Sequence, residues 1–214
     1  MVFMILQVFP LGPLETNAIL IGCSQTKQAA VIDPAQGASK YILKESDRQG
    51  LLIDKILLTH SHWDHIVDVQ ELKAKTGAKV YVHPLDAGNV EIPGSDKLPL
   101  FFPIQGVKPD HFFHDGELFQ VGNLEIQVIH TPGHSPGCVC FYLPKEKTLI
   151  SGDTLFRGSI GNLTLPTACA AQMWPSLRKL AALPADTRVI PGHGGETTIG
   201  QEKWLSKASD IFKE

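Results

Sequence analysis

The first 82 residues alternate short apolar runs with amphipathic stretches, which predicts strands interleaved with helices. One helix is predicted over residues 39–48, with Ser39 as its N-terminal cap and Gly50 just beyond its end. A second helix is predicted to begin at His65 and to end before Gly77. Apolar runs bounded by turn residues predict strands over residues 3–9, 16–22, 29–33, 52–58 and 79–82.

Between residues 83 and 116 the regular pattern stops and prolines recur. Segments this long without regular structure are uncommon in compact domains and are usually functional or disordered. We predict a partly ordered cover over a functional site, with Phe101 and Phe102 as its apolar part. The alternative is a surface wrap whose two phenylalanines pack on the core.

The rest of the chain is rich in strands. Gly122-Asn123 is a two-residue hairpin signal between two of them. Helices are predicted over residues 176–183, with Pro175 in the first turn, and over residues 201–212. The predicted strands span residues 118–121, 124–129, 138–143, 148–151 and 187–190.

The stretch T-H-S-H-W-D-H places three histidines and an aspartate directly after the predicted strand 52–58. Neutral imidazole and ionised carboxylate are ligands that divalent zinc, iron and manganese accept. His60 and His62, two positions apart in extended chain, can point to the same side. Asp64 and His65 then face a second position, so this stretch predicts a metal site.

Three later motifs supply further candidate ligands. They are T-P-G-H, which ends at His134, S-G-D-T, which contains Asp153, and P-G-H-G, which contains His193. Each follows an apolar, β-rich run and carries a glycine, so each lies where a strand ends and a loop begins. Loops at strand ends can converge at one edge of a sheet, and we expect these side chains to meet there.

In this order the four motifs closely resemble those of the metallo-β-lactamase superfamily and, within it, of the glyoxalase II-like hydrolases. The resemblance runs from T-N-A at residues 16–18 and I-D-P at residues 32–34 to the end of the chain. It implies an α/β fold, the four-layer αβ/βα sandwich, with two sheets face to face and helices outside. It also implies two metal ions bridged by Asp153, one held by His60, His62 and His134 and the other by Asp64, His65 and His193.

A pair of divalent ions can hold a hydroxide between them at neutral pH. The hypothesised reaction is attack of that hydroxide on an acyl carbon, with Asp64 orienting it. Zinc is the expected metal, and iron or manganese are the alternatives.

The substrate expected from the resemblance is a small acyl compound or thioester, as in the hydroxyacylglutathione hydrolase-like members. Asp153 speaks against lactamase activity, because the secreted lactamases commonly have a cysteine at this position. Asn162 stands where glutathione-specific members have a basic residue, with Thr164 two positions on, and we predict both as substrate contacts. The lost charge, and a tail of 21 residues after His193 that is too short for a helical glutathione-binding domain, argue against S-lactoylglutathione.

Two other activities of the superfamily remain open. One is a lactonase. The other is a persulfide dioxygenase with a single ferrous iron on His60, His134 and Asp153. Oxygen consumption with a persulfide would separate it from a hydrolase.

Composition narrows the remaining possibilities. The chain has 214 residues, of which 43% are hydrophobic, and this predicts one domain with an internal pseudo-duplication into halves near residues 1–116 and 117–214. A formal charge of −3 gives no basic surface for nucleic acid. The four cysteines are expected to be free thiols, and no run is long enough to span a membrane. We therefore expect a cytoplasmic monomer or small homo-oligomer that acts on a small molecule.

Overall fold

The computed structural model describes residues 3–212. Most of its strands belong to two six-stranded sheets. The first sheet contains, in spatial order, β1 (Met4–Leu11), β2 (Thr16–Cys23), β3 (Gln28–Ile32), β4 (Leu52–Leu57), β5 (Lys79–Val82) and β6 (His111–Phe112). β1 to β3 are antiparallel, whereas β3 to β6 are parallel.

The second sheet comes from the later part of the chain. Its strands, in chain order, are β7 (Leu118–Val121), β8 (Leu124–His130), β9 (Val139–Leu143), β10 (Thr148–Gly152), β13 (Arg188–Pro191) and β14 (Thr197–Thr198). Their spatial order is β14-β13-β10-β9-β8-β7. A small separate hairpin, which the sequence pattern did not predict, consists of β11 (Leu155–Phe156) and β12 (Ser159–Ile160).

The helices are short. They are α1 (Ala38–Gln49), α2 (Trp63–Ile66), α3 (Val69–Thr76), α4 (Pro84–Glu91), α5 (Ala170–Ala181) and α6 (Ala208–Ile211), with a 3₁₀ turn at Leu205–Lys207. Within residues 3–212, no helix has the length and apolar character needed to cross a bilayer.

Strand β2 shows why the fold has four layers. All eight of its residues are buried, because both of its faces are covered. Ala18 and Leu20 pack against the outer helices, whereas Ile19 and Ile21 pack against the second sheet. On the far side of the second sheet, Leu149 and Val189 contact α5. The predicted αβ/βα sandwich is thus confirmed.

The gross pattern of strands and the Gly122-Asn123 hairpin match the prediction, with strand ends shifted by one or two residues. The described cysteines are free thiols, as expected.

The start of α1 differs from the prediction. The helix follows Gly37, which has φ 90°, and Ser39 lies inside the first turn rather than capping it. The buried carboxylate of Asp68 accepts the backbone N–H of Ser39, so a distant side chain takes over the capping role. Gly50 does end the helix in the left-handed conformation, as predicted.

The predicted helix from His65 is divided into α2 and α3. The break falls at Val67-Asp68, where the Asp68 N–H donates to the Pro34 carbonyl instead of to a helical partner. A tertiary hydrogen bond therefore interrupts the amphipathic pattern. α2 begins at Trp63, two residues before the predicted start, so Asp64 and His65 lie in its single turn.

Segment 83–116 is not free of regular structure, because it contains α4. His83 caps this helix by accepting the Leu85 N–H on its ring nitrogen, and Pro84 occupies the first turn. Gly88 and Asn89 lower the helix propensity of this stretch, and for this reason the sequence pattern did not predict α4.

Two helices near the C-terminus also differ from the prediction. α5 begins at Ala170, so Pro175 lies inside it rather than in its first turn. The predicted helix over residues 201–212 is reduced to the 3₁₀ turn and α6, because the Glu202 carboxylate accepts from Gly158 N–H, Thr197 Oγ1 and Trp204 Nε1 and holds the chain in a turn.

Candidate metal centre

The seven predicted ligands meet at one edge of the sandwich, where strands end. His60 and His62 follow β4, and Asp64 and His65 lie in the first turn of α2. The other three follow β8, β10 and β13, and they are His134, Asp153 and His193. All are buried except His193, which is half-buried. The seven side chains named from the sequence therefore lie close together, and metal binding by them stays a prediction.

The seven ligand atoms include two groups of three, and a further group of this kind joins Asp33 to His60 and His65. In each group the three atoms lie within 4.8 Å of one another: His60, His62 and His134 in the first, Asp64, His65 and His193 in the second. His62 Nδ1 is 2.9 Å from His134 Nε2, and His65 Nε2 is 3.2 Å from His193 Nε2. Two nitrogens that bind one tetrahedral zinc at its usual bond length lie about 3.3 Å apart. The spacing therefore fits a shared metal ion in each group.

Asp153 lies between the two groups. Its Oδ2 is 3.4 Å from His134 Nε2 in the first group and 3.5 Å from His193 Nε2 in the second. Its Oδ1 is 3.5 Å from His65 Nε2 and has no hydrogen-bond partner although it is buried. This position is what a carboxylate bridging two metals requires.

An orphan atom of His60 also supports the fit. His60 Nε2 and His62 Nε2 are also buried without a hydrogen-bond partner. A buried polar atom without a partner costs stability, and native proteins usually satisfy it. At His60 a metal ion would satisfy the orphan, because its other ring nitrogen already lies 3.1 Å from Thr59 Oγ1.

Asp33 positions His65. Its Oδ2 lies 3.0 Å from His65 Nδ1, and its two oxygens also accept the N–H and hydroxyl of Thr59. Asp33 has φ 48°, an uncommon conformation for a residue with a side chain, which these buried contacts hold in place. The carboxylate fixes the tautomer that leaves His65 Nε2 free for a metal. The I-D-P match in the sequence was the only signal for this role.

Backbone carbonyls orient two other histidines in the same way. His134 Nδ1 is 2.9 Å from the Asn162 carbonyl oxygen, and His193 Nδ1 is 2.9 Å from that of Leu14. Both rings therefore present Nε2 to the centre.

Thr16 and Asn17 hold the second group from β2. The Thr16 hydroxyl donates to Asp64 Oδ2 at 2.6 Å. Asn17 Nδ2 donates to the carbonyls of Pro191 and Gly194 on both sides of His193. The T-N-A match at the start of β2 thus marks residues that orient the ligands.

Asp86 joins the two loops that carry the first group. Its Oδ2 accepts the Ser61 N–H at 2.8 Å and the Ser135 hydroxyl at 2.9 Å, and its Oδ1 accepts the Gly137 N–H at 2.7 Å. Burial raises the pKa of Asp86 above the ordinary aspartate range, although these hydrogen bonds act to lower it. Sequence analysis missed this residue because the donors are distant in sequence.

Two glycines allow the candidate ligand side chains to pack closely against the backbone. A Cβ added to Gly192 would collide with Asp153 Oδ1 and would lie 2.9 Å from His65 Cε1. A Cβ at Gly161 would collide with the Asp153 carbonyl oxygen and lie 2.9 Å from the His134 ring. The glycine of the P-G-H-G motif is therefore needed for close approach.

The electrostatics of the metal-free centre divide the histidines into two kinds. Burial lowers the pKa of His62 to about 3 and that of His60 well below its ordinary value, so both rings are neutral. Burial also acts to lower the pKa of His65, but the carboxylates of Asp64, Asp153 and Asp33 outweigh it and raise it to about 9.

His193 behaves like His65. Hydrogen bonds that its ring donates to Asp153 and Asp64 outweigh the effect of burial and raise its pKa to about 10. The same contacts keep the pKa of Asp64 below its ordinary range, against burial. Protons on these two rings compensate the buried carboxylates, and a bound cation would displace them.

A cavity of about 270 Å³ opens over the ligands. It is lined by the ligands His62, Asp64, His134, Asp153 and His193 and by the apolar residues Leu14, Trp63, Leu98, Pro99 and Leu165. Leu98 and Pro99 belong to segment 83–116, and the rings of Phe101 and Phe102 contact Trp63 at centroid distances of 5.4 and 5.7 Å. These contacts support the predicted cover.

The predicted substrate contacts do not line this cavity. The Asn162 Oδ1 atom accepts from the backbone N–H and the hydroxyl of Thr164, each at 2.8 Å. Asn162 serves the centre through its carbonyl on His134. A role for either side chain in substrate binding stays a prediction.

Comparisons with known proteins agree with this geometry. Residues 11–193 match the family model described as the metallo-beta-lactamase superfamily. The chain is 32% identical over 202 residues to hydroxyacylglutathione hydrolase GloC of Haemophilus influenzae, with 92% of this chain and 94% of that protein covered.

Two solved structures are also similar. The B3 metallo-β-lactamase BLEG-1 is 38% identical, with 92% of this chain and 96% of that chain covered and a TM-score of 0.85. TTHA1623 in a di-iron-bound form is 39% identical at the same coverage, with a TM-score of 0.79.

Proposed function

The chain belongs to the metallo-β-lactamase superfamily, and we propose that it is a dinuclear metal-dependent hydrolase of thioesters or other small activated acyl compounds. The observation that carries the proposal is the position of Asp153 between two three-ligand groups. In this scheme His60, His62 and His134 would hold one ion, Asp64, His65 and His193 would hold the other, and Asp153 would contact both.

Bound ions of this kind supply a Lewis acid and a water of lowered pKa at neutral pH. The chain's own residues supply the orientation. Asp64 lines the cavity and is held by the Thr16 hydroxyl, so its carboxylate can orient the attacking water at a fixed place. The apolar residues around the cavity exclude bulk water from the reacting bond.

A thioester is proposed on the ligand set and on the relative GloC, whose name is hydroxyacylglutathione hydrolase. An aspartate at position 153, where secreted lactamases commonly have cysteine, favours acyl substrates over β-lactams. The similarity to a B3 metallo-β-lactamase nevertheless puts a β-lactam and a lactone in the substrate panel.

Zinc is proposed as the metal, because imidazole and carboxylate suit it. Iron is the main alternative, since a similar structure carries two iron ions.

The first test is elemental analysis of protein purified without chelator, followed by hydrolysis assays on thioesters, a lactone and a β-lactam. About two ions per chain and thioester hydrolysis are expected. Asp153→Asn should lose bound metal and thioester hydrolysis. Asp186 is an exposed aspartate paired with Lys147, and Asp186→Asn should keep both properties. A single iron per chain, unchanged in His193→Ala, with oxygen uptake on a persulfide, would replace this proposal with the dioxygenase.

A further inference from the structure

The cavity over the candidate metal centre has an apolar collar, which we define as Leu14, Trp63, Leu98, Pro99 and Leu165. Its ionisable lining residues are all predicted metal ligands. No lysine or arginine of residues 3–212 is among the lining residues. A substrate in this cavity therefore meets metal ligands on one side and hydrocarbon on the other.

The collar is built from four separate parts of the chain. Leu14 lies in the turn between β1 and β2, and its carbonyl holds His193. Trp63 is the first residue of α2, directly beside the ligands, and Leu165 follows β12. Apolar side chains that come from distant segments and meet beside a candidate catalytic site are typical of a binding surface.

The collar continues outward as an apolar rim. Leu14 is 50% exposed and Phe101 is 75% exposed, although the Phe101 ring contacts Trp63. These two side chains extend the apolar surface of the cavity outward, where a bound ligand can contact them.

We propose that the group bound in the cavity is an uncharged, apolar acyl chain. This inference rests on the proposed hydrolase function and names its substrate class. The cavity of about 270 Å³ lies just below the size range of drug-sized sites, so it accommodates a short chain, and a longer one extends over the rim at Phe101.

A carboxylate on the acyl group finds no cationic side chain in the collar. The reaction is ordinary hydrolysis: the C–S bond breaks, a C–O bond to the oxygen of water forms, and the thiol leaves with a proton from that water.

Chain length gives the sharpest test. Metal-replete protein is assayed with acetyl, butanoyl, hexanoyl and octanoyl thioesters of one small neutral thiol, N-acetylcysteamine, and with S-lactoylglutathione. Each buried methylene contributes about 0.8 kcal/mol, so kcat/KM should rise about fourfold per methylene until the cavity is full. A flat or falling series, or S-lactoylglutathione as the best substrate, would overturn the inference.

Variants of the collar connect the effect to its residues. Leu14→Ser and Leu165→Ser should flatten the series mainly through KM, with metal content unchanged, because apolar contacts act equally on ground and transition states. Leu118→Ser, a 62% exposed leucine on β7, is the matched control and should keep the full slope. A full slope in both collar variants would refute the assignment.

Binding of the carboxylic acid products, measured by calorimetry, separates this inference from the proposed function. Tighter binding of hexanoate than of butanoate, without hydrolysis of any thioester, would refute the hydrolase and keep the apolar site. Hydrolysis of thioesters with no dependence of rate or binding on chain length would support the hydrolase and refute the apolar acyl site.

Discussion

Asp86 offers the most direct test of how the candidate metal centre is held together. Its buried carboxylate accepts hydrogen bonds from Ser61 and from Ser135 and Gly137, in the two loops that carry His60, His62 and His134. The ligands of the first group should therefore lose their fixed spacing if this carboxylate is replaced.

The geometry sets the magnitude. In Asp86→Asn the remaining oxygen can keep the Ser61 and Ser135 hydrogen bonds. The amide nitrogen then faces the Gly137 N–H, a donor whose nitrogen lies 2.7 Å from the accepting Oδ1 in the parent, so two donors meet. A lost hydrogen bond to a charged group costs roughly 1.5–3 kcal/mol, and the neutral amide recovers part of this because its burial costs less. We expect a loss of about 2 kcal/mol for Asp86→Asn and about 4 kcal/mol for Asp86→Ala, which leaves all three donors without the carboxylate.

Two measurements check this expectation. For a chain of this size, about 2 kcal/mol corresponds to a fall in Tm of about 4–8 °C. Titration of metal-free protein against a coloured chelator should show at least one site weakened about 10- to 100-fold. Asp186→Asn, an exposed aspartate, is the control for loss of a carboxylate. Wild-type Tm and metal affinity in Asp86→Asn would show that the two loops keep their spacing without this carboxylate.

Three further predictions concern other parts of the molecule. Thr16→Val removes the hydroxyl bonded to Asp64 and should weaken one metal site about tenfold in a chelator competition, whereas Thr16→Ser should retain the affinity. Equal affinities in the two variants would contradict the orienting role. Gly192→Ala places a methyl group against the Asp153 carboxylate and should reduce the metal content, whereas Gly195→Ala has its nearest neighbour 3.7 Å away and should not. Burial and a stacked imidazole lower the pKa of His83 to about 4, from 6.5 in the unfolded chain. The unfolded state therefore binds more protons between these values, and about 1–2 kcal/mol of stability should be lost as pH falls from 6.5 to 4. His83→Asn, which can still cap α4, should show a smaller loss in urea unfolding across that range.

The convergence of the candidate ligands was predictable because each motif is local. Each of His134, Asp153 and His193 stands a few residues after an apolar run and next to a glycine, and a strand followed by a loop was the only structural assumption required. The order of the motifs then supplied the family and its sandwich.

The residues that orient those ligands were not predictable by the same means. Asp33 acts on His65, 32 positions away, and Asp86 acts on Gly137, 51 positions away. Asp33 stands in the I-D-P match, whereas Asp86 stands in no motif. Neither sequence neighbourhood names the partner, and only tertiary packing brings the two together.

The predictions of two helix ends were wrong for a related reason. The cap of α1 comes from Asp68 instead of Ser39, and Glu202 holds its neighbourhood in a turn where the apolar pattern predicted a helix. In each case a buried side chain replaced a local hydrogen bond with a distant one.

The segment from residue 83 to 116 carries both Asp86 and the collar residues Leu98 and Pro99. Asn89 connects them: its amide donates to the Ser61 carbonyl and to Asp96, and its oxygen accepts the Gly94 and Asp96 N–H groups. An exchange of this whole segment between homologues would therefore alter the scaffold of the ligand loops together with the substrate preference. Engineering of new substrate ranges would succeed more readily with libraries that vary only residues 97–102 and leave Asp86 and Asn89 unchanged.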